Sequence, residues 1–362
     1  MAKSSSDKKY RTDYFLKKII IQLFIFSQIT LFISCSQKRD RKVEHAFYYW
    51  RSSFSLSSDD FEYLKELEVN KLYIRFFDVD WNQNSNSAVP VGDVSIETDS
   101  LGSIEIVPVV FITNRSLENI NNSLIQDLAS KIYRKITGKI GMFSNPDYRE
   151  IQLDCDWTAS TKDKYFNLIK YIEKLAATEK ICLSATIRLH QIKYYRLTGV
   201  PPVKRGMLMF YNMTPVSDFR TKNSIYDEGA AKKYLINFNK YPLPLDVALP
   251  AFSWGVLFRR NNIIALINDL NKEQISKDSD FKQLDVIRYM AQKDKFFDGQ
   301  FIKKYDILRL EIITPEITKG AAELIASKIE NSNLTVAIYH LNKELEKNYG
   351  TKDIQDCYSA FH

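Results

Sequence analysis

Asp154 and Asp156 stand two residues apart in the stretch Glu150-Ile-Gln-Leu-Asp-Cys-Asp-Trp157-Thr158. Carboxylates at this spacing can pass a proton to or from a bridging oxygen, hold a hard cation, or pair with a guanidinium. A second Asp-x-Asp, Asp78 and Asp80, follows the apolar run KLYIRFF, and Glu311 lies in a later one. Other apolar runs end in Trp50 and Arg51, Trp157, Arg188 and His190, Tyr211 and Asn212, and Trp254. Rings stack on pyranose faces, acids and amides bind hydroxyls, and an arginine clamps an anion. The set suits a sugar. Catalysis is expected from Asp154, Asp156, Asp78, Asp80 and Glu311, and substrate contact from the remainder. Each residue also has a structural reading. Asp154 or Asp156 can pair with Arg188 or Arg75, Asp78 and Asp80 can cap the next turn, and His190 can be a loop residue. Trp157 and Trp254 can be packing. No calcium loop is present and the cysteine spacing matches no zinc pattern, so neither a metal nor another cofactor is expected.

Ile151, Leu153 and Cys155 alternate with Gln152, Asp154 and Asp156, the period of a strand. Thr158 and Ser160 offer a cap for an amphipathic helix from about 161 to 176. Six further apolar runs read as strands: 45–50, 71–77, 104–112, 181–187, 206–211 and 245–251. Helical patterns separate most of them, notably at 60–67, 117–137 and 229–238. Strands apolar on both faces, alternating with helices, imply a parallel sheet covered by helices. Seven such units before residue 255 fit an α/β fold of the (β/α)8 TIM-barrel type, whose chemistry sits at the carboxyl ends of its strands. A dinucleotide-binding sheet would need a glycine-rich loop, and none is present. Residues 82–103 are polar and turn-rich, an expected insertion at the mouth. A C-terminal hairpin and helix extension is also expected, with the hairpin around Arg259-Arg260-Asn261-Asn262 and the helix near 281–292. Ile307–Ile313 is the favoured closing strand, with Leu334–Tyr339 as the alternative.

The amino terminus reads as an address. Lys17-Lys18 precede an apolar run, 19–33, too short to span a bilayer. Residues 1–34 are therefore expected to be a secretory leader, 35–44 a tether, 45–345 the barrel and 346–362 a tail. The net charge of +7 falls to about +3 without the leader, leaving no basic stripe for nucleic acid. The composition, 45% hydrophobic and 26% charged, is that of a globular protein. Aromatic residues are high at 13%, which a Phe/Tyr-filled core explains and an aromatic-lined cleft for sugars would also suit.

Phe32-Ile33-Ser34-Cys35 resembles a bacterial lipobox, which implies cleavage before Cys35 and lipidation of its thiol. The expected location is the cell envelope, outside the cytoplasm and anchored to a membrane, the outer one favoured. Leu153-Asp-Cys-Asp-Trp157 resembles the fourth-strand signature of the family-18, chitinase-like glycoside hydrolases, Asp-Gly-x-Asp-x-Asp-Trp-Glu. By position Asp154 and Asp156 match its second and third acids, and Thr158 falls on the proton-donating Glu. The body also resembles an uncharacterised family of bacterial lipoproteins, through Tyr48-Tyr49-Trp50-Arg51, Arg75-Phe76-Phe77-Asp78, QLDCDW and Tyr339-His340-Leu341. These resemblances imply an anchored carbohydrate-active barrel with an oligosaccharide ligand. Hydrolysis is the first reading. The others are glycan binding without turnover and a purely structural envelope protein.

Overall fold

Eight strands close into a ring in the computed structural model, which describes residues 41–362. They are β1 (Lys42–Tyr49), β2 (Lys71–Asn82), β3 (Glu105–Ile112), β4 (Glu150–Asp154), β5 (Cys182–Arg188), β6 (Arg205–Met209), β7 (Leu245–Pro250) and the closing Asn333–Tyr339. Every neighbouring pair in the ring is parallel, and β1 joins both β2 and the last strand. The expected (β/α)8 barrel is therefore present. The leader, Cys35 and the tether up to residue 40 lie outside the described residues. No helix among those described is long and apolar enough to cross a membrane.

Alternation along the strands sorts the residues. Ile151, Leu153 and Cys155 point outward into the layer between strands and helices, while Glu150, Gln152 and Asp154 point into the barrel. The helices present matching stripes. α1 (Ile125–Ile140) buries Ile125, Leu128, Ala129, Ile132 and Ile136, and α2 (Lys162–Ala176) buries Tyr165, Leu168, Ile169 and Ile172. That is the i, i+3, i+4 face of an amphipathic helix. Each buried leucine or isoleucine there contributes roughly 1.5–3 kcal/mol by leaving water.

The barrel interior is polar at its foot. Lys71 Nζ sits at the foot, 3.2 to 3.6 Å from Glu44, Glu105 and Glu150. Burial alone would lower its pKa, but the three carboxylates raise it. Above this cluster the Tyr48 hydroxyl donates to Gln152, and the Gln152 amide donates to Ser184.

Several expectations need correction. Ile307–Ile312 does not close the barrel; Asn333–Tyr339 does. The hairpin expected around residue 260 exists, but it is inserted between the seventh and eighth barrel strands rather than appended after the barrel. Its strands β8 (Ser253–Arg259) and β9 (Asn262–Asn268) belong to an antiparallel sheet with β10 (Phe281–Gln283), β11 (Arg288–Ala291) and β12 (Ile307–Ile312). Residues 281–292 are thus two strands, not a helix. Asp285 turns them by accepting hydrogen bonds from the backbone N–H groups of Ile287 and Arg288. The mouth excursion at 82–103 folds back in part, with Ser87–Val91 pairing antiparallel to β2. Arg41 to Glu44, assigned to the tether, belong to the fold. The Arg41 guanidinium donates to the carbonyls of Ile329 and Phe361. The tail is also folded: the helix Thr351–Ser359 buries Ile354, Cys357 and Tyr358, and the Tyr358 hydroxyl donates to Ala46 O. Cys182 is exposed, whereas Cys155 and Cys357 are buried; all three are free thiols.

Candidate functional site

The carboxyl ends of the strands open into a bowl of about 540 Å³. A bulge in β2 shapes one wall. Pairing with β3 slips between Arg75 and Phe77, so both Phe76 and Phe77 point outward into the core. One extra residue thereby brings Arg75 and Asp78 to the inner face together. There the guanidinium holds the carboxylate at two points, Nε to Oδ1 at 2.8 Å and Nη2 to Oδ2 at 2.6 Å.

Arg188, at the end of β5, organises the opposite wall. It bonds Asp156 through Nε and reaches Asp154 Oδ1 at 3.3 Å through Nη2. Asp154 is buried and also accepts from the Thr186 hydroxyl at 2.5 Å. Burial raises its pKa, the Arg188 charge opposes that rise, and neighbouring Asp156 adds to it; the net direction is upward. Asp156 is exposed. The anticipated pairing of these aspartates with Arg188 is therefore real, and it takes place inside the bowl.

Aromatic rings form the remaining wall. Trp50, Tyr211, Phe252, Trp254 and Tyr339 all line the cavity. Tyr339 is central: its ring centroid lies 5.0 Å from Tyr211, 5.4 Å from Phe252 and 6.0 Å from Trp50. Arg51 and Asn212 stand exposed at the rim.

Of the residues expected from sequence, the bowl gathers Asp78, Asp154, Asp156, Trp50, Arg51, Arg188, Tyr211, Asn212 and Trp254. Four others are placed elsewhere. Asp80 is bound by Arg115 and the Thr113 hydroxyl, interactions that lower its pKa to about 2. Glu311 is fully buried beneath the rings. It pairs with Arg309 at 2.6 Å and accepts from Ser224 and from Trp254 Nε1, so it positions the Trp254 ring and has no open face toward a ligand. Trp157 is buried against Tyr165 with its Nε1 donating to Thr198 O, which makes it packing rather than a platform. His190 is exposed and does not line the bowl. Thr158 is likewise outside it, its hydroxyl shared with Ser160 at 2.8 Å.

The wall also includes Asp269, which sequence reading missed, and His340, which follows the closing strand. Asp269 follows β9 and returns from the inserted sheet to accept from Asn342 Nδ2 at 2.8 Å. Burial raises its pKa, opposed by Arg51. His340 keeps a buried Nδ1 without a hydrogen-bond partner, and burial, aided by the Arg51 charge, lowers its pKa to about 4. Only the end of the strand Leu334–Tyr339 marked His340, and no local pattern marked Asp269. Among the described residues no cluster of three or more His, Cys, Asp or Glu is placed to hold a metal ion.

Solved structures share this architecture. The spore cortex-lytic enzyme SleL of Bacillus megaterium QM B1551 superposes with a TM-score of 0.51 at 13% identity, over 86% of this chain and 75% of that one. The GH18 chitinase ChiB of Flavobacterium johnsoniae gives 0.51 at 14% identity, over 89% and 94%. A chitinase from Chromobacterium violaceum ATCC 12472 gives 0.51 at 9% identity, over 87% and 98%. At such identities the likeness is one of fold. No protein-family model matches the sequence, and no curated protein does.

Proposed function

We propose that this protein binds an oligosaccharide in the bowl at the carboxyl ends of the barrel strands, held at the cell envelope by a lipid on Cys35. One observation carries the reading: six aromatic rings and four carboxylates face a single cavity, with the acids on two walls already matched by Arg75 and Arg188. Such a surface offers stacking planes and fixed hydrogen-bonding groups at little net charge, which suits a hydroxyl-rich ligand. The chitinase-like fold of the neighbours agrees with it. Binding without turnover now ranks ahead of hydrolysis, because Glu311 and Asp80 are spent elsewhere and Thr158 supplies no acid.

Hydrolysis stays as the second reading, favoured by Asp154. Its buried carboxyl, with a raised pKa, has the property a proton donor needs. A partner carboxylate would have to sit roughly 5 Å away for retention or about 6.5–9.5 Å for inversion.

A panel of soluble oligosaccharides, assayed for binding and for released product, tests both. Binding with no product is expected, and Trp50→Ala should weaken it at least about tenfold, as loss of an aromatic anchor does. Product formation abolished by Asp154→Asn would establish the second reading instead. Absence of binding to every sugar would remove both.

A further inference from the structure

No Asp or Glu occurs between residues 189 and 217, or between 229 and 245, in a chain that carries 44 of them. The fold brings parts of these two stretches together on the flank of the barrel. The short helices Leu189–Lys193 and Tyr195–Thr198 meet the helix Glu228–Tyr234 and the turn Phe238–Lys240 around a groove of about 520 Å³. Tyr194, Leu197 and Ile236 line it and are 53%, 63% and 64% exposed. Lys193, Arg196, Lys233 and Lys240 line it too, and all four are exposed. Lys232 alongside is paired with Glu228 at 2.6 Å, but none of these four has a carboxylate within ion-pair distance among the described residues. The Lys193 ammonium instead lies over the rings of Tyr194 and Tyr234, 5.6 and 5.3 Å from their centroids.

Two features must be explained together. A small soluble anion has no use for exposed Leu197 and Ile236. A purely apolar partner would strip water from four cations and give them nothing in return. A lipid surface accepts both, with aliphatic tips at the acyl boundary, the tyrosine at headgroup level and cations against phosphates. We propose that this flank seats on a membrane surface containing anionic phospholipid. The site is separate from the bowl and needs no lipid on Cys35.

The test is vesicle partition of residues 35–362, the chain without its expected leader, with Cys35→Ser in every arm so that neither leader nor lipid can contribute. Vesicles of phosphatidylcholine alone are compared with vesicles containing 30% phosphatidylglycerol. Partition should be stronger on the anionic vesicles and fall with added salt. Lys193→Gln with Lys233→Gln should weaken it about thirtyfold, and Leu197→Ser with Ile236→Ser about tenfold. All four positions are exposed, so circular dichroism and the thermal midpoint should not change. Equal partition on neutral and anionic vesicles, or variants that bind like the parent, would overturn the proposal. So would concentration-dependent self-association, without vesicles, that the same variants abolish; the flank would then be an interface between copies.

Discussion

Replacing Arg188 by Met should destabilise the protein in a way that acid repairs. Arg188 is the one cation bonded to Asp154 among the described residues, and the Asp154 side chain is only 4% exposed. Removing one partner of a buried pair strands the other charge, at a cost of about 3–5 kcal/mol. Asp156 is half exposed and can rehydrate, so the lower figure, about 3 kcal/mol at pH 7.5, applies. Burial already raises the folded pKa of Asp154 above its unfolded value, and losing Arg188 raises it further. The folded state of the variant therefore binds the Asp154 proton more tightly than the unfolded state does. Its stability must rise as pH falls, by about 1.4 kcal/mol per pH unit between the unfolded and folded pKa values. Urea unfolding at pH 7.5 and pH 5 reads this directly: the gap between parent and variant should narrow at pH 5. Asp154→Asn, added to the variant, should recover most of the loss at pH 7.5, because no charge is left stranded. An equal gap at both pH values, or no recovery in the double variant, would refute the reasoning.

Glu311→Gln leaves Arg309 buried without its counter-charge and should cost about 3 kcal/mol in urea unfolding, while Arg309→Met with Glu311→Met should restore much of it. A Glu311→Gln variant with parental stability would show that the pair does not hold the inserted sheet. His340, whose pKa burial lowers to about 4, is neutral when folded and must take up a proton on unfolding below about pH 6.5. Its contribution is present above that pH and is lost as pH falls toward 4, so His340→Gln should flatten the parent's loss of stability across that window.

Strand alternation with helices, and the polar ends of each apolar run, were enough to read the barrel and most of the bowl. Both depend on local pattern. The failures occurred where tertiary pairing decides. Ile307–Ile312 and Asn333–Tyr339 are equally strand-like, and only the partners distinguish them: one joins β8 and β11, the other β1 and β7. Phe281, Leu284, Ile287 and Ala291 are spaced like a helix face, yet the turn at Asp285 and pairing to β12 make them strands. Glu311 looked like a strand-end acid. In fact it lies opposite Trp254 in an antiparallel pair and turns beneath that ring. Trp157 follows two bowl aspartates but, one residue on, faces the helix layer instead. Asp269 reaches the bowl only because the whole inserted sheet returns its chain there.

Lys71 and its three glutamates stopper the lower opening of the barrel. A polymer therefore has no route by which to thread the molecule from end to end. It must lie across the upper rim or dip a terminus into the cup, and whatever goes in has to leave by the way it came.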